Sequence, residues 1–136
     1  MKNTIKVARL DINREPVYDC TVFAVDGTYI DDDIHIVGDF ICGKHAVIGS
    51  VFADGIAVIG EETKAVCIYA GEGIYTESNI DAWDLVSPED IEVGDNATLC
   101  DVIGYKNVKI GDNAITAVIE AWTGDSELGQ MSKQAK

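Results

Sequence analysis

Two histidines, a run of three aspartates and four cysteines are the residues in this chain whose types could carry chemistry. His35 lies between Ile34 and Ile36, so it reads as an outward-facing strand residue rather than a general base. His45 precedes the small Ala46 at a bend and is expected to be exposed. Neither histidine has a sequence neighbourhood that builds a Ser-His-Asp or Cys-His arrangement. Asp31-Asp32-Asp33 reads as a solvated corner, not a metal site. Cys20, Cys42, Cys67 and Cys100 lie 22, 25 and 33 residues apart with no CxxC pair, each among aliphatic residues. They are expected to be small core thiols rather than a disulfide or zinc framework. No phosphate-binding GxxxxGK or GxGxxG loop occurs; the glycines recur at a different interval. No catalytic, cofactor-binding or metal-ligating residue is assigned, and the chain reads as a non-enzyme.

That interval is the main signal. Ile91-Glu92-Val93-Gly94-Asp95-Asn96-Ala97 returns as Val108-Lys109-Ile110-Gly111-Asp112-Asn113-Ala114, 17 residues later. Run backwards from Val108, the same frame gives six lines beginning at Phe23, Phe40, Ala57, Ile74, Ile91 and Val108, an apolar column throughout. The twelfth column is branched and aliphatic throughout: Ile34, Val51, Ile68, Leu85, Val102 and Ile119. The fourth holds Gly43, Gly60, Gly94 and Gly111, with Asp26 and Glu77 in the other lines. Such self-similarity marks a solenoid.

First and third positions of a line share a face because strand side chains alternate. Glycine is expected to relax the backbone where the chain bends, and the following Asp-Asn is turn chemistry. Frequent β-branched residues and glycines oppose long helices. The expected fold is all-β: a single-domain parallel β-helix of about six triangular 17-residue rungs. A right-handed coil is favoured as the general rule for parallel crossovers. Stacking would set Asp95 one rung from Asp112, a repulsion that an amide ladder of Asn96 over Asn113 could offset. Calcium in that column is the alternative; the dense Gly/Asp nonapeptide of calcium-binding rolls is missing.

Three regions follow. Residues 1–22 read as a strand-like segment or cap, with alternation broken between Val7 and Leu10 and pairing limited at Pro16. Residues 23–124 form the β-helix. Residues 125–136 form a polar tail, expected to be mobile or at best a short helical cap. The fourth line, with Trp83 and Pro88, is the most degenerate and is expected to bulge. Trp83 and Trp122 read as partly buried packing residues, the other option being surface aromatics at a contact.

A formal charge of −14 argues against nucleic acid or anionic lipid as partner and fits a basic protein partner or a well-solvated surface. Lys2, Lys6, Arg9 and Arg14 make the head mildly basic on an acidic body, so opposite-signed ends could meet between subunits. No apolar run reaches the roughly 20 residues of a membrane helix, and the start lacks a signal peptide's apolar block; a cytoplasmic location is expected.

Two families resemble these columns. "VGDNAT" from Val93 and "IGDNAI" from Ile110, with looser "CGKHAV" and "IGEETK", are similar to the hexapeptide repeat of left-handed β-helix proteins, mostly acyltransferases and γ-class carbonic anhydrases. That resemblance implies an 18-residue coil, a trimer and a catalytic His or a three-His zinc site; this chain keeps 17 and has only His35 and His45. "DDIHIVGDFICGKHAVIGSVFADGIAVIGEE", residues 32–62, resembles the rungs of bactofilins, bacterial cytoskeletal proteins whose short right-handed β-helix polymerises end to end. The resemblance spans about residues 30–122 and rests on pattern.

The expected function is accordingly a non-catalytic scaffold that assembles end to end, its partner another copy of itself. Phe23 and Val25 at one end, with Val108, Ile110 and Ile119 at the other, are the residues expected in the junction. The alternatives are a monomeric or dimeric acidic binding protein, of an immunity, inhibitor or DNA-mimic type, and a degenerate hexapeptide-repeat trimer.

Overall fold

A computed structural model describes residues 4–10, 17–18, 21–30, 33–129 and 133–134, with side-chain surroundings for 21–30 and 33–129. Its strands run β1 (Thr4–Leu10), β2 (Val17–Tyr18), β3 (Thr21–Ile30), β4 (Ile34–Ile36), β5 (Phe40–Cys42) and β6 (Val47–Ala53). Then come β7 (Ile56–Ile59), β8 (Lys64–Ala70), β9 (Gly73–Thr76), β10 (Asp81–Ser87), β11 (Ile91–Val93) and β12 (Thr98–Gly104). The last are β13 (Val108–Ile110), β14 (Ile115–Thr116), β15 (Val118–Ala121), β16 (Ser126–Leu128) and β17 (Lys133–Gln134). No helix occurs among the described residues, and so none long and apolar enough to cross a membrane.

Every pairing is parallel and joins a residue to its counterpart one coil later, which makes a β-solenoid of about six turns with three ladders. The first ladder stacks β1, the start of β3, β5, β7, β9, β11, β13 and β16. The second stacks the ends of β1 and β3, the starts of β6, β8, β10 and β12, then β14 and β17. The third stacks β2, β4, the ends of β6, β8, β10 and β12, then β15. The expected aliphatic file is there: Ile34, Val51, Ile68, Leu85, Val102 and Ile119 are successive register neighbours. All but Ile119 are fully buried.

The 17-residue frame slips by one residue at two corners. Ile30 pairs with Ile48 but Ile34 with Val51, so the lower coil spends one extra residue at Asp31–Asp33. Val22, not Phe23, therefore sits beside Phe40, and Phe23 is turned out with 37% of its surface exposed. A strand's alternation allows no other outcome, since a shift of one residue exchanges the two faces. Asp33 is exposed as expected for that corner; Asp31 and Asp32 lie outside the described residues. At the other end Gly104 pairs with Ala121 but Val108 with Ser126, one extra residue at Trp122–Asp125.

Other expectations are corrected. The fourth line does not bulge: Asp81 to Ser87 match Thr98 to Gly104 without a shift, because Pro88 falls in the corner after the strand. The described residues of the segment 125–136 hold no helix and join the ladder, since Ser126–Leu128 and Lys133–Gln134 pair on β13 and β14. The head lies over the first rung as β1 on β3, with a register shift between Val7 and Arg9. Pro16 and Cys20 lie outside the described residues.

The glycine corner works differently from the sequence expectation. Gly43, Gly60, Gly94 and Gly111 do not carry the positive φ; residues two positions on do. His45, Glu62, Asn79, Asn96 and Asn113 all have φ between 56 and 63°, one per coil. Glycine is needed for proximity instead: a Cβ on Gly60 would meet the Gly43 carbonyl carbon at 2.5 Å, and one on Gly94 the Glu77 carbonyl carbon at 2.6 Å. Glycine's missing side chain lets coils stack at the roughly 4.8 Å strand spacing. The aspartates beside them cap rather than merely repel: Asp95 Oδ1 accepts from the Asp112 backbone N–H at 2.7 Å, and Asp26 Oδ1 from Lys44 N–H at 2.8 Å. Interior Thr63 is satisfied in the same way, donating to the Gly43 carbonyl at 3.3 Å.

Two tests follow from this corner. Gly60→Ala should destabilise the fold by about 1–3 kcal/mol, because backbone rather than a flexible side chain must yield; a denaturation midpoint equal to wild type would contradict the close-stacking account. Glu62→Asn should be neutral to stabilising, by up to about 1 kcal/mol. Asparagine tolerates the left-handed conformation, and the exposed Glu62–His45 pair that is lost contributes little. A clear drop in midpoint would show that the pair outweighs the strain.

Candidate assembly edges and an apolar side face

The solenoid has two edges. At the upper one β15, β16 and β17 each pair on one side only among the described residues; at the lower one so do β1 and β2. A parallel ladder that stops leaves a row of N–H and C=O groups facing away from it. The interior is also incompletely closed at the upper edge. Leu128 is 37% exposed, and Ile119 and Ala121 are only partly buried against the core.

Of the five residues expected in a junction, Ile119 alone lies in an edge coil. Val108 and Ile110 are buried, with Ser126 and Leu128 stacked beyond them. Phe23 and Val25 belong to β3, one coil in from the lower edge, where Lys6 occupies the register position next to Phe23. The upper edge residues Ser126, Glu127 and Leu128 were missed because the tail is polar. The signal was Gly129, whose N–H donates to the Ile110 carbonyl at 2.9 Å as Gly111 does to Val93 at 2.8 Å. It continues the glycine column with an 18-residue step.

The chemistry-bearing residues are dispersed. His35 Nε2 lies 3.0 Å from Asp54 Oδ1, and His45 Nδ1 lies 2.9 Å from Glu62 Oε2, on different corners and both well exposed. Among the described residues no group of three or more His, Cys, Asp or Glu side chains converges on one point. The cysteines are not uniformly core residues: Cys42 is buried, Cys67 half-buried and Cys100 exposed. Cys100 faces outward because it alternates with buried Leu99. Burial pushes the Cys42 thiol up to about 12, countered in part by hydrogen bonding with Thr63. The sign follows: an unfolded thiol ionises near 9.0, so stability at this site is complete below that pH and is lost as pH rises toward about 12.

The third ladder carries an apolar outer column. Phe52, Tyr69, Val86 and Ile103 are successive register neighbours and none is charged. Pro88, Tyr105 and Trp122 extend this column into a shallow groove. Tyr105 and Trp122 meet edge to face, ring centres 6.0 Å apart. The Trp122 indole N–H donates to Glu120 Oε2 at 3.1 Å. Trp83 and Trp122 are 65% and 66% exposed, so the expectation of partly buried packing residues fails for both. In β10 Ala82 and Leu85 take the inward places and leave Trp83 outside.

These surfaces define a β-solenoid whose terminal strands are paired on one side only among the described residues. No protein-family model matches the sequence, no curated protein matches it, and no solved structure matches the fold.

In the native protein a small maleimide should label Cys100 readily and leave Cys42 unreacted at neutral pH, where thiolate and access are both lacking. Peptide mapping checks this, and equal labelling of the two without denaturant would mean the coil opens locally around Cys42.

Proposed function

We propose that the protein is a non-catalytic cytoplasmic scaffold that assembles end to end through the edges of its β-solenoid, as bactofilins do. The observation that carries this reading is the pair of terminal coils whose strands are bonded on one side only among the described residues. Each edge offers the geometry that every internal coil already offers its neighbour, so a second copy can extend the ladder with no new design. Partly uncovered Ile119, Ala121 and Leu128 supply apolar surface at the join.

A second reading rests on the other surface. An acidic rod with an uncharged Phe52–Tyr69–Val86–Ile103 column and an exposed Trp122 fits a monomeric or dimeric binder of a basic protein. The bactofilin-like pattern of residues 32–62 favours the first reading; the side face favours the second.

Size-exclusion chromatography with negative-stain microscopy separates them. The expected result is a ladder of oligomers or filaments that lengthen with concentration. Leu128→Asp should shorten them while the melting temperature stays close to wild type, because Leu128 is partly exposed already. A sharp monomer across concentrations, indifferent to that substitution, would transfer the case to the binder.

A further inference from the structure

We propose that copies join head to tail, in one polar direction, with β1 of one copy docking on β16 of the next so that Lys6 takes the register position that follows Glu127. This rests on the end-to-end reading above and adds its polarity and register.

The first ladder fixes the columns. Glu92, Lys109 and Glu127 are consecutive register neighbours on the outward face, so the column alternates in sign as it reaches the upper edge. At the lower edge the same column begins at Lys6, the register neighbour of Phe23. Stacking one copy on another with the coil spacing unchanged gives Glu92, Lys109, Glu127, then Lys6 of the added copy. The flanking register positions match in the same way. Ile5 and Val7 are the neighbours of buried Val22 and Ala24, and they would follow Ser126 and Leu128. On the third ladder Tyr18 would follow Ala121, by way of its pairing with Ile36.

The other two arrangements lack this match. A tail-to-tail join centred on β16 sets Glu127 against Glu127, and a head-to-head join brings two basic heads together. Both are also antiparallel, whereas every pairing in the chain is parallel. One position opposes the head-to-tail order: Lys133 ends the second ladder's column and Arg9 begins it. The register shift between Val7 and Arg9 falls at this place in β1.

The test uses the full-length chain at a concentration where oligomers form. Within one copy Lys6 and Glu127 are separated by seven inter-strand steps, on the order of 34 Å at about 4.8 Å per step. A zero-length carbodiimide link between them therefore reports a junction between copies. Mass spectrometry of treated oligomers should find the Glu127–Lys6 amide. Lys6→Glu should raise the concentration needed for assembly by about fivefold or more, since it turns an attraction into a repulsion. Adding Glu127→Lys should bring that concentration back toward wild type. The monomer's melting temperature is followed alongside, because Glu127→Lys also faces Lys109 in its own chain. Oligomers that form without the link and ignore Lys6→Glu overturn the polar register and leave end-to-end assembly standing. A chain that stays monomeric at every concentration overturns both.

Discussion

Each coil must lie about 4.8 Å from the next on all three faces at once, and that spacing decides what every position accepts. Interior files fill with branched aliphatics because each side chain has a like neighbour above and below. The Ile34-to-Ile119 file meets that demand at six successive coils. Corners are governed by the same spacing in a stricter form. A backbone that turns there passes so near its neighbour that Gly60 and Gly94 have no room for a Cβ. Polar groups forced into those corners are used rather than wasted. Asp26, Asp39, Asp90 and Asp95 each accept a backbone N–H from the following coil at 2.7–3.0 Å. This explains how a chain of 24 acidic residues tolerates carboxylates at stacked corners. The oxygens are turned toward amides, not toward one another.

Much of the fold was legible in the sequence, for a physical reason. A solenoid imposes one environment on every residue of a column, so column chemistry shows without an alignment. Where the coil length changes, that legibility fails. The extra residue at Asp31–Asp33 moved Phe23 out of the apparent core column and put Val22 in its place. A similar extra residue at Trp122–Asp125 hid the last coil inside a polar tail. Trp83 misled in another way. Its size marks it as a packing residue on average, but it follows inward Ala82 where the strand passes from the second ladder to the third, and that places it outside.

The candidate site was less legible than the fold. Three asparagines at 17-residue spacing, Asn79, Asn96 and Asn113, point to the left-handed corner, yet the neighbouring glycines drew that role in the sequence reading. Edge residues depend on where the ladder stops, which is a property of the whole stack rather than of any local pattern. Ile119 was identified because it ends a clean file; Ser126, Glu127 and Leu128 follow a broken frame. The side face from Phe52 to Ile103 was visible as single residues, but its continuity needs the register between coils.

Because paired residues lie 17 or 18 positions apart almost everywhere, each coil is secured chiefly by the two beside it. Cooperativity in such a stack is short-ranged, like beads held only by adjacent beads. Amide exchange should then be slowest around β8 and β10 and quicken toward both extremities, as the outermost loops peel away one at a time. A neighbour seated on an extremity would turn a fraying coil into an internal one, so joining and resistance to unravelling are one thermodynamic event.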